Sequence, residues 1–106
     1  MNQVEVLYFD GCPTWQRAVE LVRQVLTETG NNVDLHLVRV ESEDDARRLR
    51  FLGSPTIRVD GRDIDPAVEE AGEFGLQCRL YRDGDRFSGL PLMAWLRTSL
   101  GVEPCP

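Results

Sequence analysis

A single α/β domain, with a central mixed β-sheet flanked by helices, is predicted by three observations. Val4 to Phe9 is a compact apolar and aromatic run of high strand propensity, closed by the turn-forming pair Asp10-Gly11. From Trp15 onward, Trp15, Ala18, Val19, Val22, Val25 and Leu26 recur at helical spacing, and Gly30 offers a natural stop. Val33 to Val40 is again rich in Val and Leu, and a strand-helix-strand run of this length predicts a right-handed crossover between parallel strands.

The remaining elements follow from local chemistry. Ser42 with Asp45 three residues on forms a weak capping box for a short helix through Leu52, closed by Gly53. Thr56 to Val59 reads as a strand, Asp60-Gly61 as a two-residue hairpin turn, and Arg62 to Ile64 as the returning strand. Asp65 to Leu76 has no sustained period and is read as an irregular insertion, with room for a short helix around Ala67 to Ala71. Gln77 to Arg82 is strand-like, Asp83-Gly84 turns it, and Pro91 to Leu100 forms a last helix stopped by Gly101. The expected order is βαβαββ, an insertion, one strand-like segment and a last helix, over residues 1–101, with 102–106 as a frayed tail.

Composition narrows the function classes. At 106 residues, 42% hydrophobic and 28% charged, the chain is of ordinary globular make-up. No run approaches the roughly 20 apolar residues of a spanning helix. The N-terminal stretch has no positive region and no long apolar run, so a cytoplasmic location and no membrane partner are expected. A net charge of −6 and scattered basic residues argue against nucleic acid as a partner. All twelve basic residues are Arg, which excludes lysine chemistry, and His36 is the only histidine. It lies in an expected strand with no cysteine or carboxylate at ligand spacing, so it reads as a surface or edge residue. Cys12, Cys78 and Cys105 match neither a secreted disulfide framework nor a paired zinc-ligand pattern, and no metal site is expected from their spacing.

Together, Tyr8-Phe9-Asp10-Gly11-Cys12-Pro13-Thr14-Trp15 and Gly53-Ser54-Pro55-Thr56-Ile57 resemble the two active-site loops of the thioredoxin superfamily. The pattern covers most of the chain and, with Leu76 to Arg82, is similar to small bacterial thioredoxin-family proteins. The resemblance implies a thioredoxin-like fold in which Cys12 sits at the start of the first helix, opposite a cis-proline loop at Pro55. It departs from the usual dithiol pair, because Trp15 stands where a second cysteine would be. The site therefore resembles a monothiol, glutaredoxin-like one, in which glutathione or another cysteine of the chain resolves a mixed disulfide.

Cys12 is the leading candidate, since free amides at a helix start stabilise a thiolate. The blander reading is a small buried hydrophobe. Pro13 fits the first helical turn, where its missing donor costs nothing. A cis Pro55 would expose the Ser54 backbone for strand-like pairing with a bound thiol peptide, and Thr56 completes that loop. Trp15 reads equally as a wall beside the thiol or as core. Cys78 is either a second thiol near Cys12 or a core-facing strand residue. Asp10 reads as turn chemistry ahead of a proton relay, the 41–45 acidic cluster as a solvated face at a helix start, and Cys105 as incidental.

Three functions remain open on sequence. One is thiol–disulfide exchange with a protein or glutathione substrate, glutathione being the one small-molecule thiol implied. A second is capture of Hg(II) or Cu(I) between Cys12 and Cys78. A third is a non-catalytic interaction protein in which neither thiol reacts.

Overall fold

The computed structural model describes residues 3–30, 34–66 and 74–101. In chain order these form β1 (Gln3–Tyr8), α1 (Trp15–Thr29), β2 (Asp34–Arg39), α2 (Glu43–Leu49), β3 (Thr56–Val59), β4 (Arg62–Asp63), β5 (Tyr81–Asp83), β6 (Arg86–Ser88) and α3 (Met93–Ser99). The fold is mixed α/β, with a four-stranded sheet ordered β2-β1-β3-β4 and a separate β5-β6 hairpin.

β1 occupies the middle of the sheet because its residues are apolar on both faces. It runs parallel to β2, with Val6 opposite Leu37, and antiparallel to β3, with Val6 opposite Ile57. Val4 and Val6 face one core with Val19, Val22 and Val25 of α1, Ile57 and Val59 of β3, and Leu96 and Leu100 at α3. Leu7 points the other way, into a smaller cluster with Val40, Ala46 of α2 and Phe51. The helices thus cover both faces of the sheet, with α1 and α3 on one and α2 on the other. β2 is the outer strand, and His36 lies exposed on it.

Local chemistry explains most boundaries. Asp60 and Gly61 both take positive φ, 52° and 83°, as a two-residue turn between β3 and β4 requires. Ser42 caps α2, its hydroxyl accepting from Asp45 N–H at 3.1 Å. Gly30 ends α1 in the left-handed region.

Three expectations change. α2 stops at Leu49 rather than Leu52, because Arg50 takes the left-handed cap position (φ 56°) and turns Phe51 into the second core cluster. The expected single strand around residues 77–82 is instead a hairpin: Tyr81–Asp83 pairs with Arg86–Ser88, an exposed strand that offers no burial alternation to read. α3 begins at Met93, after Pro91. The start of the second strand at Val33, the short helix at 67–71, and the 102–106 tail with Cys105 lie outside the described residues. Among the described residues, no helix is long and apolar enough to cross a membrane.

Candidate functional site

β1 delivers the chain to a tight turn in which Cys12 N–H donates to Phe9 C=O at 3.1 Å. Asp10 is the exposed corner of that turn and pairs with Arg39 of β2. α1 begins only at Trp15, with Thr14 as its N-cap, so Pro13 lies exposed just outside the helix rather than in its first turn. The Thr14 side chain makes no capping bond. Its hydroxyl lies 3.1 Å from Gly89 C=O and 3.4 Å from Cys12 Sγ, so its one proton serves Gly89 while Cys12 is a thiol and turns to the sulfur when Cys12 ionises. The first amides of α1 are thereby left for the sulfur.

Cys12 is 5% exposed and reduced. Burial pushes its thiol up, but the neighbouring Ser54 and Thr14 hydroxyls and the Thr14 and Trp15 backbone, all of which favour the anion, outweigh burial, so its pKa falls below that of an ordinary thiol. As a thiol, Cys12 donates to Ser54 C=O at 3.4 Å. As a thiolate it can only accept, and the partner waiting is Ser54 Oγ. That hydroxyl is buried and, among the described residues, has no partner in ordinary hydrogen-bond geometry. A buried hydroxyl left without an acceptor is costly, and an anion beside it removes the cost.

The Ser54–Pro55 peptide bond is cis, as expected. The Ser54 backbone, however, is not open to a peptide. Its N–H donates to Gln77 C=O at 2.8 Å and its C=O accepts from Arg79 N–H at 3.0 Å. The chain's own residues 77–79 take that edge as a parallel bridge, which places Cys78 opposite Ser54. Gly53 makes the approach feasible: its φ of 134° is a glycine conformation, and a Cβ there would fall 2.9 Å from Arg79 Cβ.

The structure brings Cys78 to the site. Its thiol is exposed and reduced. Burial, the neighbouring Cys12 charge and a hydrogen bond with Cys12 together raise its pKa. Relative to an ordinary thiol, one sulfur is thus shifted toward the thiolate and its neighbour away from it.

The other expected substrate contacts are placed differently. The Trp15 ring stacks on Tyr8, centroids 4.1 Å apart, and packs against the main core, so Trp15 meets the sulfur through its backbone. Thr56 is fully buried, donating to Gly53 C=O at 2.5 Å and accepting from Arg79 at 3.3 Å. It shapes the loop from beneath. Pro55 is likewise buried, its C=O accepting from the Tyr81 hydroxyl.

Sequence reading missed the layer under this loop. Arg79, 5% exposed, makes a two-pronged pair with Asp63 at 2.5 and 3.2 Å and reaches Asp65 at 3.4 Å. Its guanidinium also stacks over the Tyr81 ring, 4.5 Å from the centroid. Burial lowers the Arg79 pKa, and the Asp63 bond together with nearby charges more than restores it. The Tyr81 hydroxyl is pushed well up, chiefly by burial. The available signal was an arginine in a strand-like run whose alternate residues are Tyr81 and Gln77, with two acidic residues at Asp63 and Asp65 to receive it. Thr14 carried the signal of a hydroxyl two residues after a cysteine.

Among the described residues, no group of three or more His, Cys, Asp or Glu gathers as a metal site. Compared with protein-family models, curated proteins and solved structures, the chain matches none.

Proposed function

We propose that this chain is a thiol–disulfide exchange protein of thioredoxin-like fold, with Cys12 as the attacking thiolate and Cys78 as the resolving thiol. The carrying observation is that Cys12 and Cys78 meet at one residue: the Cys12 thiol bonds the Ser54 C=O, and the 77–79 segment pairs with the Ser54 backbone so that Cys78 stands opposite it, with the Cys12 pKa lowered and the Cys78 pKa raised. The β2-β1-β3-β4 order, the thiol ahead of α1 and the proline loop ahead of β3 support the fold reading.

In the first step the Cys12 thiolate attacks one sulfur of a substrate disulfide. A Cys12–substrate bond forms, and the other substrate sulfur leaves as a thiolate. Cys78, still protonated, is placed to give it a proton. The Cys78 thiolate so formed attacks Cys12 Sγ, closes a Cys12–Cys78 disulfide and releases the second substrate sulfur, which takes a proton from solvent. The substrate has gained two electrons and two protons. Two equivalents of an external thiol such as glutathione restore the protein. The placement of Cys78 opposite Ser54 favours this internal resolution over the purely monothiol cycle, in which glutathione would do the same work. Pro13 is exposed beside Cys12 and would meet the substrate, while Ser54 and Pro55 hold the floor of the site.

The test is reaction of the reduced chain with oxidised glutathione, followed by mass. The wild type should close an internal disulfide. Cys78→Ser should instead accumulate a single glutathione adduct on Cys12, and Cys12→Ser should react far more slowly. Equal rates for Cys12→Ser and wild type would contradict the assignment.

Two converging thiols are also the donor set of a linear Hg(II) or Cu(I) site. Uptake of one such ion per chain, lost in either cysteine variant and with no exchange on glutathione, would favour that reading instead.

A further inference from the structure

Cys78 owes its place to its neighbour. From Cys78 to Tyr81 burial alternates: Cys78 and Leu80 are exposed, and Arg79 and Tyr81 are buried at 5% and 2%. That is the period of an extended strand, in which fixing one residue's face fixes the next. Between Gly75 and Tyr81, Arg79 is the one buried side chain, and it is held on four sides: by Asp63, Asp65, Thr56 and the Tyr81 ring. Its backbone N–H meanwhile bonds Ser54 C=O, beside the Cys12 contact on the same oxygen.

We propose that Arg79 and Asp63 form a positioning pair that sets how readily the Cys12–Cys78 disulfide closes. This rests on the exchange function above. The planar guanidinium meets both Asp63 oxygens, fixing direction as well as distance. With Arg79 pinned downward, Cys78 must point up toward Cys12. If the pin is lost, the 77–79 segment can rotate or slip, and the second thiol leaves attack range of the first.

The test is the equilibrium constant for closing Cys12–Cys78 in glutathione buffers, measured on the full chain. Closure converts one oxidised glutathione to two reduced molecules while both protein thiols are oxidised, so the constant reports the effective concentration of one thiol at the other. Asp63→Asn keeps the acceptor for Asp65 N–H, at 2.9 Å in the wild type, while removing the charge. It should lower the constant by about tenfold or more, the scale expected for an ångström-level misplacement of reacting groups. Arg79→Lys, one charge without the fork, should fall between wild type and Arg79→Gln. Should Asp63→Asn not fold, Asp65→Asn removes only the longer contact and should show a smaller loss of the same kind.

The rate of Cys12 alkylation separates positioning from general damage, because the α1 amides and the Thr14 hydroxyl are untouched. It should stay at the wild-type value. A closing constant unchanged in Asp63→Asn, or one that falls only in step with the alkylation rate, overturns this inference and leaves the exchange function standing. A wild type that closes no disulfide overturns the exchange function itself.

Discussion

Gly53→Ala is the sharpest structural perturbation the site offers. Gly53 adopts φ 134°, and an added Cβ would lie 2.9 Å from Arg79 Cβ and 3.1 Å from Arg79 Cα and N. Two of these are backbone atoms, fixed by the Arg79 N–H bond to Ser54 C=O. Two costs therefore combine. An L side chain at such a φ is strained by about 1–3 kcal/mol. Overpacking against fixed neighbours adds about 1–3 kcal/mol. The expected destabilisation is about 2–6 kcal/mol. At roughly 4 °C per kcal/mol for a domain of this size, the melting temperature should fall by about 8–24 °C. If residues 77–79 yield completely, the backbone strain alone leaves a loss of about 4–12 °C. In that case Cys78 moves and disulfide closure weakens instead. Thermal unfolding of the reduced protein, followed by circular dichroism, measures the first effect, and closure in glutathione buffers measures the second. A melting temperature within about 2 °C of wild type, with closure unchanged, would refute the close approach and the Cys78 placement built on it.

Two further outcomes follow from the sulfur's surroundings. Ser54→Ala removes a buried hydroxyl that favours the Cys12 anion, so the Cys12 pKa should rise and its alkylation near neutral pH should slow. An unchanged rate would remove Ser54 from the site. The stability of the reduced protein should also depend on pH through Cys12. Its folded pKa is depressed, so the folded state loses the proton first and gains stability as pH rises from the folded pKa to the unfolded value, then keeps it. Cys78 works oppositely: its raised folded pKa costs stability as pH climbs past the unfolded value. Denaturant titrations from pH 6 to about pH 8.5, the ordinary thiol value, should show a rise in wild type that is absent in Cys12→Ser. Parallel curves would contradict the depressed pKa.

How much of this could be read from sequence depended on range. The α1 pattern from Trp15 to Leu26, the β3 strand from Thr56 and the Asp60-Gly61 turn all rest on interactions among near neighbours, and the structure places them as expected. α2 is shorter than the sequence suggests because Gly53 is the obvious left-handed stop, whereas Arg50 takes that role and Gly53 serves the approach of Arg79. β6 escaped notice because Arg86, Phe87 and Ser88 are all exposed and so carry no period. The Ser54 edge was expected to await a peptide. That the chain supplies its own strand there depends on a contact between distant segments, and no local pattern encodes it. The same holds for Cys78, whose partner was open on sequence, and for Arg79, whose burial is favourable only because Asp63 and Asp65 arrive from another strand and its following turn.

The exchange chemistry depends on Cys12 ionising more readily than an ordinary thiol. The most direct measurement is the rate of iodoacetamide alkylation at Cys12 against pH, with Cys78 replaced by serine so that one thiol at the site reports. A single ionisation below the ordinary thiol value of about 8.5, with reaction at pH 7 faster than a free thiol, is the predicted result. A half-rate pH at or above that value, with reaction at pH 7 no faster than a free thiol, would contradict it.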